Sequence, residues 1–221
     1  MKPICLIAVC LFSLLTNLGA QTKSITEAQY NAILNSANER GEKVLRRIVT
    51  ETTRYKSNKV DSVENEIEES FPNGDLRWNS VTKRNEQVIE KSQGVTFGKY
   101  TYRKEGEADW TKRCIADCSK AEAGQSFGLA GATELPKVVE IFTSDTDPSG
   151  QKVQFFFFYR VYQVGPVLQF YEKKLWINSE GLIQRQESIT SEAFPTNKTS
   201  KEIITYEYNP KDVAPIEPPI K

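Results

Sequence analysis

Residues 152–164, with the sequence KVQFFFFYRVYQV, decide the fold class of this chain. Five aromatic residues follow one another from Phe155 to Tyr159, among residue types that favour strands. Successive side chains of a strand point to opposite faces of its sheet, so this run places aromatic rings on both faces. The stretch therefore predicts a strand in the interior of a sheet, with other parts of the protein covering both of its sides.

Further strand patterns extend from this stretch toward both ends of the chain. Short runs of β-branched, aromatic and alternating residues are separated by turns rich in glycine, asparagine and charged residues. The strands predicted in this way are residues 44–57, 76–83, 86–97, 99–104, 109–113, 137–143, 152–164, 167–177, 182–190 and 202–208. This succession predicts an antiparallel meander. Residues 44–57 and 60–71 also fit a helical face, so a helix stays an alternative for both segments.

One helix is predicted near the start of the chain. Ser24 and Glu27 form a capping-box pattern, in which each side chain can bond to the backbone N–H of the other residue. We expect this helix to end near Gly41 and to lie against the sheet, because apolar residues recur on one of its faces. These residues are Ile25, Ala28, Ala32, Ile33 and Ala37.

The first 20 residues have the layout of a secretory signal peptide. Lys2 supplies a positive charge, residues 4–15 are mostly apolar, and small residues precede the end of the segment at Ala20. The apolar run is shorter than the roughly 18 residues that span a bilayer. We expect cleavage after Ala20, export to the bacterial periplasm, and a single soluble domain at residues 21–221. An uncleaved membrane anchor is the alternative.

The composition excludes several classes of function. The chain has no histidine, which removes Ser-His and Cys-His catalytic pairs and histidine-ligated metal centres. Its 29 basic and 29 acidic residues balance, so charge gives no reason to expect binding to nucleic acid. We therefore expect no enzymatic activity, no cofactor and no metal. A mechanism that uses carboxylates alone, as in glycosidases, stays open.

Cys114 and Cys118 are the two cysteines that remain once residues 1–20 are removed. An even count in an exported protein favours a disulfide between them. A metal half-site is the alternative, although two thiolates alone make an incomplete zinc set. The pair opens a segment, residues 114–135, that is rich in alanine, glycine and serine, and this composition predicts a weak helix or a mobile loop.

Three stretches of the sequence resemble the periplasmic outer-membrane lipoprotein-carrier, or LolA-like, family. Residues 71–78 (FPNGDLRW) are similar to its proline turn before an Arg-Trp strand, although Phe71 stands where a basic residue is usual. Residues 175–183 (LWINSEGLI) are similar to its late hairpin, and residues 203–209 (IITYEYN) to its closing strand. By layout the resemblance covers nearly all of residues 21–221. It implies a mainly β (α+β) fold, an incomplete antiparallel β-barrel or strongly curved sheet with a helical lid.

The resemblance also implies a function. The hollow apolar face of such a sheet would bind acyl chains of lipids or lipoproteins without covalent chemistry, with membrane-bound donor and acceptor proteins as partners. The lid would be residues 114–135, including Phe127 and Leu129. Candidates for the cavity lining are Trp78, Phe155, Phe157, Tyr159, Phe170, Trp176 and Tyr206. The alternatives are an ordinary sheet core for these aromatic residues, and a sensor or structural protein-interaction domain of the same fold without lipid carriage.

Overall fold

The computed structural model describes residues 22–115, 137–164, 167–192 and 198–220. These residues form one helix, α1 (Glu27–Glu42), and twelve strands. The strands are β1 (Lys23–Ile25), β2 (Arg46–Lys56), β3 (Lys59–Ser70), β4 (Leu76–Arg84), β5 (Gln87–Phe97), β6 (Tyr100–Glu105), β7 (Thr111–Cys114), β8 (Lys137–Thr146), β9 (Lys152–Val164), β10 (Val167–Ile177), β11 (Ile183–Glu192) and β12 (Lys198–Tyr208). Within the described ranges no helix is both long enough and apolar enough to cross a membrane.

All twelve strands belong to a single antiparallel sheet, in the order β1-β8-β9-β10-β11-β12-β2-β3-β4-β5-β6-β7. The sheet therefore consists of two meanders, β2 to β7 and β8 to β12, which meet where β12 pairs with β2 along its whole length. Strands β1 and β7 stand at the two ends of this order, so the sheet formed by the described strands stays open. This confirms the predicted mainly β fold, with an incomplete antiparallel barrel of the kind that the LolA-like resemblance implied.

Helix α1 begins after Thr26, and the prediction that Ser24 caps it is wrong. The Gln29 N–H donates to Thr26 Oγ1 at 3.2 Å, and the Thr26 N–H donates to Gln29 Oε1 at 2.9 Å. Ser24 lies in β1 instead, where it pairs with Phe142. The sequence holds two overlapping capping patterns, and the pairing of β1 with β8 keeps Ser24 extended, so Thr26 becomes the N-cap.

The two segments with a helical alternative are both strands. Residues Lys56 and Lys59 pair across a two-residue turn, in which Ser57 and Asn58 have φ values of 50° and 61°. Positive φ at both central residues is the backbone of a tight β-hairpin turn. Strands β2 and β3 each pair with a strand on both sides, and this non-local pairing decides the conformation that the local pattern left open.

Alternation along the paired strands divides the sheet into two faces. We call the face on which α1 packs the inner face and the opposite one the outer face. On β9, Phe156 and Phe158 point inward to the apolar cluster beneath α1, and Phe155 points outward. Phe156 is 0% exposed and Phe155 is 5% exposed, so both faces of β9 are covered, as its sequence predicted. The buried members of the cluster are Tyr30, Ala37, Ile141, Phe156, Phe158, Leu175, Ile177 and Ile183.

Candidate functional site

The seven aromatic residues that were predicted to line a cavity do not share one face of the sheet. A row of paired residues identifies the inner face across most of the strands: Phe156, Leu175, Gln186, Ile204, Thr50, Glu66 and Ser80. By this register two of the seven point inward, Trp78 and Tyr206. The other five point outward: Phe155, Phe157, Tyr159, Phe170 and Trp176. The aromatic run supplies both faces of β9, so its pattern does not show which alternate residues face inward. The chosen set of Phe155, Phe157 and Tyr159 faces outward, and the register with the other strands sets Trp78 and Tyr206 on the opposite face.

The five outward residues come together as an outer aromatic patch on β9 and β10. The ring centroids of Phe155 and Trp176 are 5.1 Å apart, and those of Tyr159 and Phe170 are 6.4 Å apart in a stacked arrangement. Trp176 Nε1 donates to Asp147 Oδ2 at 3.3 Å. Apart from Phe155, the members of the patch are half-buried. They therefore form a surface of contacting rings on the side of the sheet away from α1.

The inner face changes from apolar to polar between β10 and β12. Its residues on β11, β12 and the next three strands are mostly hydroxyls and carboxylates, which we call the polar floor: Ser188, Glu202, Thr50, Thr52, Ser62, Glu64, Glu66, Glu68, Ser80 and Thr82. Ser62, Ser80 and Thr82 are only 5%, 6% and 8% exposed, whereas the outward Val49 and Ile67 are each 38% exposed. The inner face is thus sheltered at these positions, and its buried apolar cluster lies under α1.

Two neighbouring carboxylates of the polar floor have opposite electrostatic surroundings. Arg54 Nη2 donates to Glu64 Oε2 at 2.6 Å, and this bond, helped by one from Ser80, lowers the pKa of Glu64 below its usual value. Burial raises the pKa of Glu66, and the nearby charges of Glu68, Glu64 and Glu202 raise it further. The fold therefore favours the ionised form of one carboxyl group and disfavours that of the other.

Replacing Glu66 with glutamine should stabilise the protein at neutral pH. Its folded-state pKa lies above the unfolded value of 4.5, so ionising Glu66 costs stability as the pH rises through the folded-state pKa. Glu66→Gln should raise Tm at about pH 7, and its advantage should vanish below the unfolded value, where both states are protonated. Thermal melts across this pH range measure the difference.

Glu64→Gln is the matched control, and its effect should have the opposite sign. The folded-state pKa of Glu64 is lowered, so its contribution is present at neutral pH and fades as the pH falls through that pKa. This variant should therefore lower Tm at about pH 7. Equal shifts in the two variants would contradict the electrostatic difference between the two sites.

On the apolar side of the inner face, four residues with polar groups neighbour Phe158, and we call these five residues the Phe158 cluster. The ring of Tyr30 packs edge-on with a centroid distance of 5.2 Å, and that of Tyr171 lies at 6.0 Å. Arg160 Cζ is 4.9 Å from the centroid of the Phe158 ring. Lys173 is the cross-strand partner of Phe158 on β10. Two tyrosine rings and a guanidinium thus lie against one buried ring, and a lysine is its cross-strand neighbour.

The polar groups of this cluster are not equally satisfied. Arg160 Nη2 bonds to Glu27 Oε1 of α1 at 2.7 Å. Tyr30 is 3% exposed, and its buried hydroxyl has no hydrogen-bond partner among the residues that the structure describes. Burial lowers the pKa of Lys173, which the charge of Glu202 raises and that of Arg160 lowers. Sequence patterns did not single out Tyr30 or Lys173, because their positions depend on the register of β9 with β10 and on where α1 lies.

The remaining predicted residues lie at or beyond the limits of the described chain. Phe127, Leu129 and Cys118 are outside the described residues. Cys114 is buried at the end of β7, and its disulfide with Cys118 stays a prediction. Over residues 22–115, 137–164, 167–192 and 198–220 no three side chains of histidine, cysteine, aspartate or glutamate are grouped to hold a metal ion.

Comparison with known proteins gives matches to solved structures alone. No protein-family model matches the sequence, and no curated protein matches it. LprF from Mycobacterium bovis is 13% identical, with a TM-score of 0.38 over 88% of this chain and 97% of that one. A LolA superfamily protein from Nitrosomonas europaea is 10% identical, with a TM-score of 0.31 over 80% of this chain and 90% of that one. A DUF1329 family protein from Desulfovibrio piger is 7% identical, with a TM-score of 0.36 over 85% of this chain and 94% of that one.

Proposed function

We propose that this protein is an exported binder or carrier of amphiphilic ligands that contain acyl chains. The observation that carries the proposal is the junction on the inner face, where the apolar cluster under α1 adjoins the sheltered polar floor. An acyl chain gains about 25 cal/mol for each Å² of apolar surface that it removes from water, so it belongs on the apolar side. A headgroup needs hydrogen-bond partners and belongs on the polar side. The arrangement therefore suits a ligand with one end of each kind.

The edge of α1 that faces the polar floor is the proposed entry point for the acyl chain. Ile33 and Leu34 of α1 are half-buried and pack against the cluster, as Tyr171 and Tyr206 do from the sheet. A chain could insert against the apolar side chains of Ile33 and Leu34 while Tyr30 stays packed on Phe156 and Phe158. Binding in this form is non-covalent and assigns no catalytic group. The lid at residues 114–135, with Phe127 and Leu129, remains part of this proposal as a second cover that opens.

The setting of this activity follows from the predicted signal peptide. Cleavage after Ala20 and export to the periplasm would place the domain between membranes. Carriage of lipids or lipoproteins toward the outer membrane would then require membrane-bound donor and acceptor proteins. The proposal assigns the acyl chain to the inner face, whichever cargo bears it.

The proposal is tested by looking for the ligand itself. The chain from residue 21 to 221, purified without denaturant, should carry an acyl-chain lipid that native mass spectrometry detects at one per protein and that extraction identifies. After delipidation it should take up a fluorescent fatty acid. Leu34→Gln should weaken that uptake by about tenfold, because it removes apolar surface at the entry, whereas the exposed neighbour in Asn35→Gln should leave it unchanged. A protein that is empty and takes up no probe would overturn the proposal.

The outer aromatic patch favours a second candidate, a sensor or structural domain that binds another protein. Half-exposed aromatic rings are enriched at protein interfaces, where they supply rigid contact area. In this case the partner would cover Tyr159, Phe170 and Trp176, and the inner face would hold no ligand. Failure of fatty-acid uptake together with protection of Trp176 fluorescence by a partner would support this alternative.

A further inference from the structure

We propose that the Phe158 cluster binds the anionic head of the ligand, the carboxylate of a fatty acid, through the ammonium of Lys173 and the hydroxyl of Tyr30. The inference rests on the proposed binding of acyl chains and adds the chemical class of the headgroup. It also assigns a direction to the ligand, since the cluster lies between the apolar residues under α1 and the polar floor.

The first argument is the hydroxyl of Tyr30. A buried O–H group without a hydrogen-bond partner is unfavourable, so native proteins rarely keep one. Within the described part of the chain the Tyr30 hydroxyl is such a group, although its ring is well packed against Phe156 and Phe158. Burial raises the pKa of Tyr30 far above neutrality, so the hydroxyl keeps its proton. It can therefore donate a hydrogen bond to an acceptor that the ligand brings.

The second argument is the contrast between two adjacent lysines of β10. Lys174 points to the outer face, where its Nζ forms an ion pair with Glu172 Oε1 at 3.0 Å. Lys173 points to the sheltered inner face, and its ammonium makes no ion pair or hydrogen bond with any residue that the structure describes. The charge of Glu202 on β12 acts on Lys173, but the two side chains form no ion pair. A sheltered charge without a directly paired counterion is unfavourable. A carboxylate beside Lys173 would supply that counterion.

The third argument concerns the charge of the ligand. Arg160 lies over the Phe158 ring, but its charge is matched by Glu27 at 2.7 Å. Lys173 is the other cation of the cluster, and the acidic residue whose charge acts on it, Glu202, lies two strands away on β12. A monoanion such as a carboxylate would therefore fit beside its ammonium. Leu175 follows Lys173 by two positions on the same face and is fully buried in the apolar cluster. A chain attached to the carboxylate could thus continue directly onto apolar surface.

The test compares two ligands with the same chain and different heads. Displacement of a fluorescent fatty acid from the protein of residues 21–221 is measured with oleate and with oleyl alcohol, below their aggregation concentrations. Lys173→Met should weaken oleate binding by about tenfold and leave oleyl alcohol unchanged, whereas Lys174→Met should change neither. Tyr30→Phe, which removes one oxygen, should weaken the binding of oleate by roughly three- to tenfold. Lys173→Arg should retain most of the affinity for oleate.

The possible outcomes separate this inference from the proposed function. If both ligands bind equally well and Lys173→Met affects neither, the headgroup site is wrong while acyl-chain binding stands. If Lys173→Met and Lys174→Met weaken the binding of oleate to the same extent, the effect is general electrostatic attraction, and the proposed headgroup site is again wrong. If neither ligand binds, both proposals fail together. Thermal melts of each variant identify any loss of affinity that comes from unfolding.

Discussion

Replacing Phe156 with alanine should lower the free energy of unfolding by about 3–5 kcal/mol. Phe156 is fully buried in the cluster beneath α1, and its ring packs edge-on against Tyr30 with a centroid distance of 5.7 Å. Removing it leaves a cavity between the helix and the sheet, where the paired strands prevent collapse. Urea unfolding followed by circular dichroism measures the loss.

The next residue offers the matched control. Phe157→Ala removes the same atoms from the outer face, where the side chain is half-buried and lies near Lys174. Because less apolar surface is lost and water can fill the space, the cost should be only about 1–2 kcal/mol. Equal losses in the two variants would mean that α1 does not seal the inner side of β9.

Gly94→Ala should destabilise the protein by about 1–3 kcal/mol, although alanine is usually better than glycine in a strand. Gly94 on β5 pairs directly with Trp78 on β4, and the indole lies over the glycine. A Cβ at this position would lie 2.6 Å from Trp78 Cε2 and 2.8 Å from Cζ2, so the indole has to move. Its contact with Arg103, whose Cζ is 5.7 Å from the ring centroid, should be lost with it.

A double-mutant cycle identifies the cause of this loss. In a Trp78→Leu background, Gly94→Ala should be neutral or slightly stabilising, because the clashing ring is gone and the unfolded chain loses freedom. Chemical denaturation of the four proteins provides the coupling energy. A cost for Gly94→Ala that is unchanged in the Trp78→Leu background would show that the indole is not responsible.

Local sequence patterns alone were sufficient to locate most of the strands. The predicted segments 152–164 and 167–177 coincide with β9 and β10, and the open antiparallel sheet follows from a succession of such segments. Alternation and turn residues act between close neighbours in the chain, so their effect can be read without the fold. Where two local patterns compete, as at Ser24 and Thr26, the pattern alone does not choose between them.

Only the tertiary structure decided which strands meet and which side of the sheet each residue takes. Thr50 pairs with Ile204 across the centre of the sheet, and a shift of one residue would exchange the two faces. In sequence Lys173 and Lys174 are alike. The register that sets Lys173 opposite Phe158, together with the position of α1, gives one lysine a sheltered site and leaves the other at the surface. The environment of Lys173 depends on residues that strand pairing and helix packing bring close to it. No local sequence pattern contains that information.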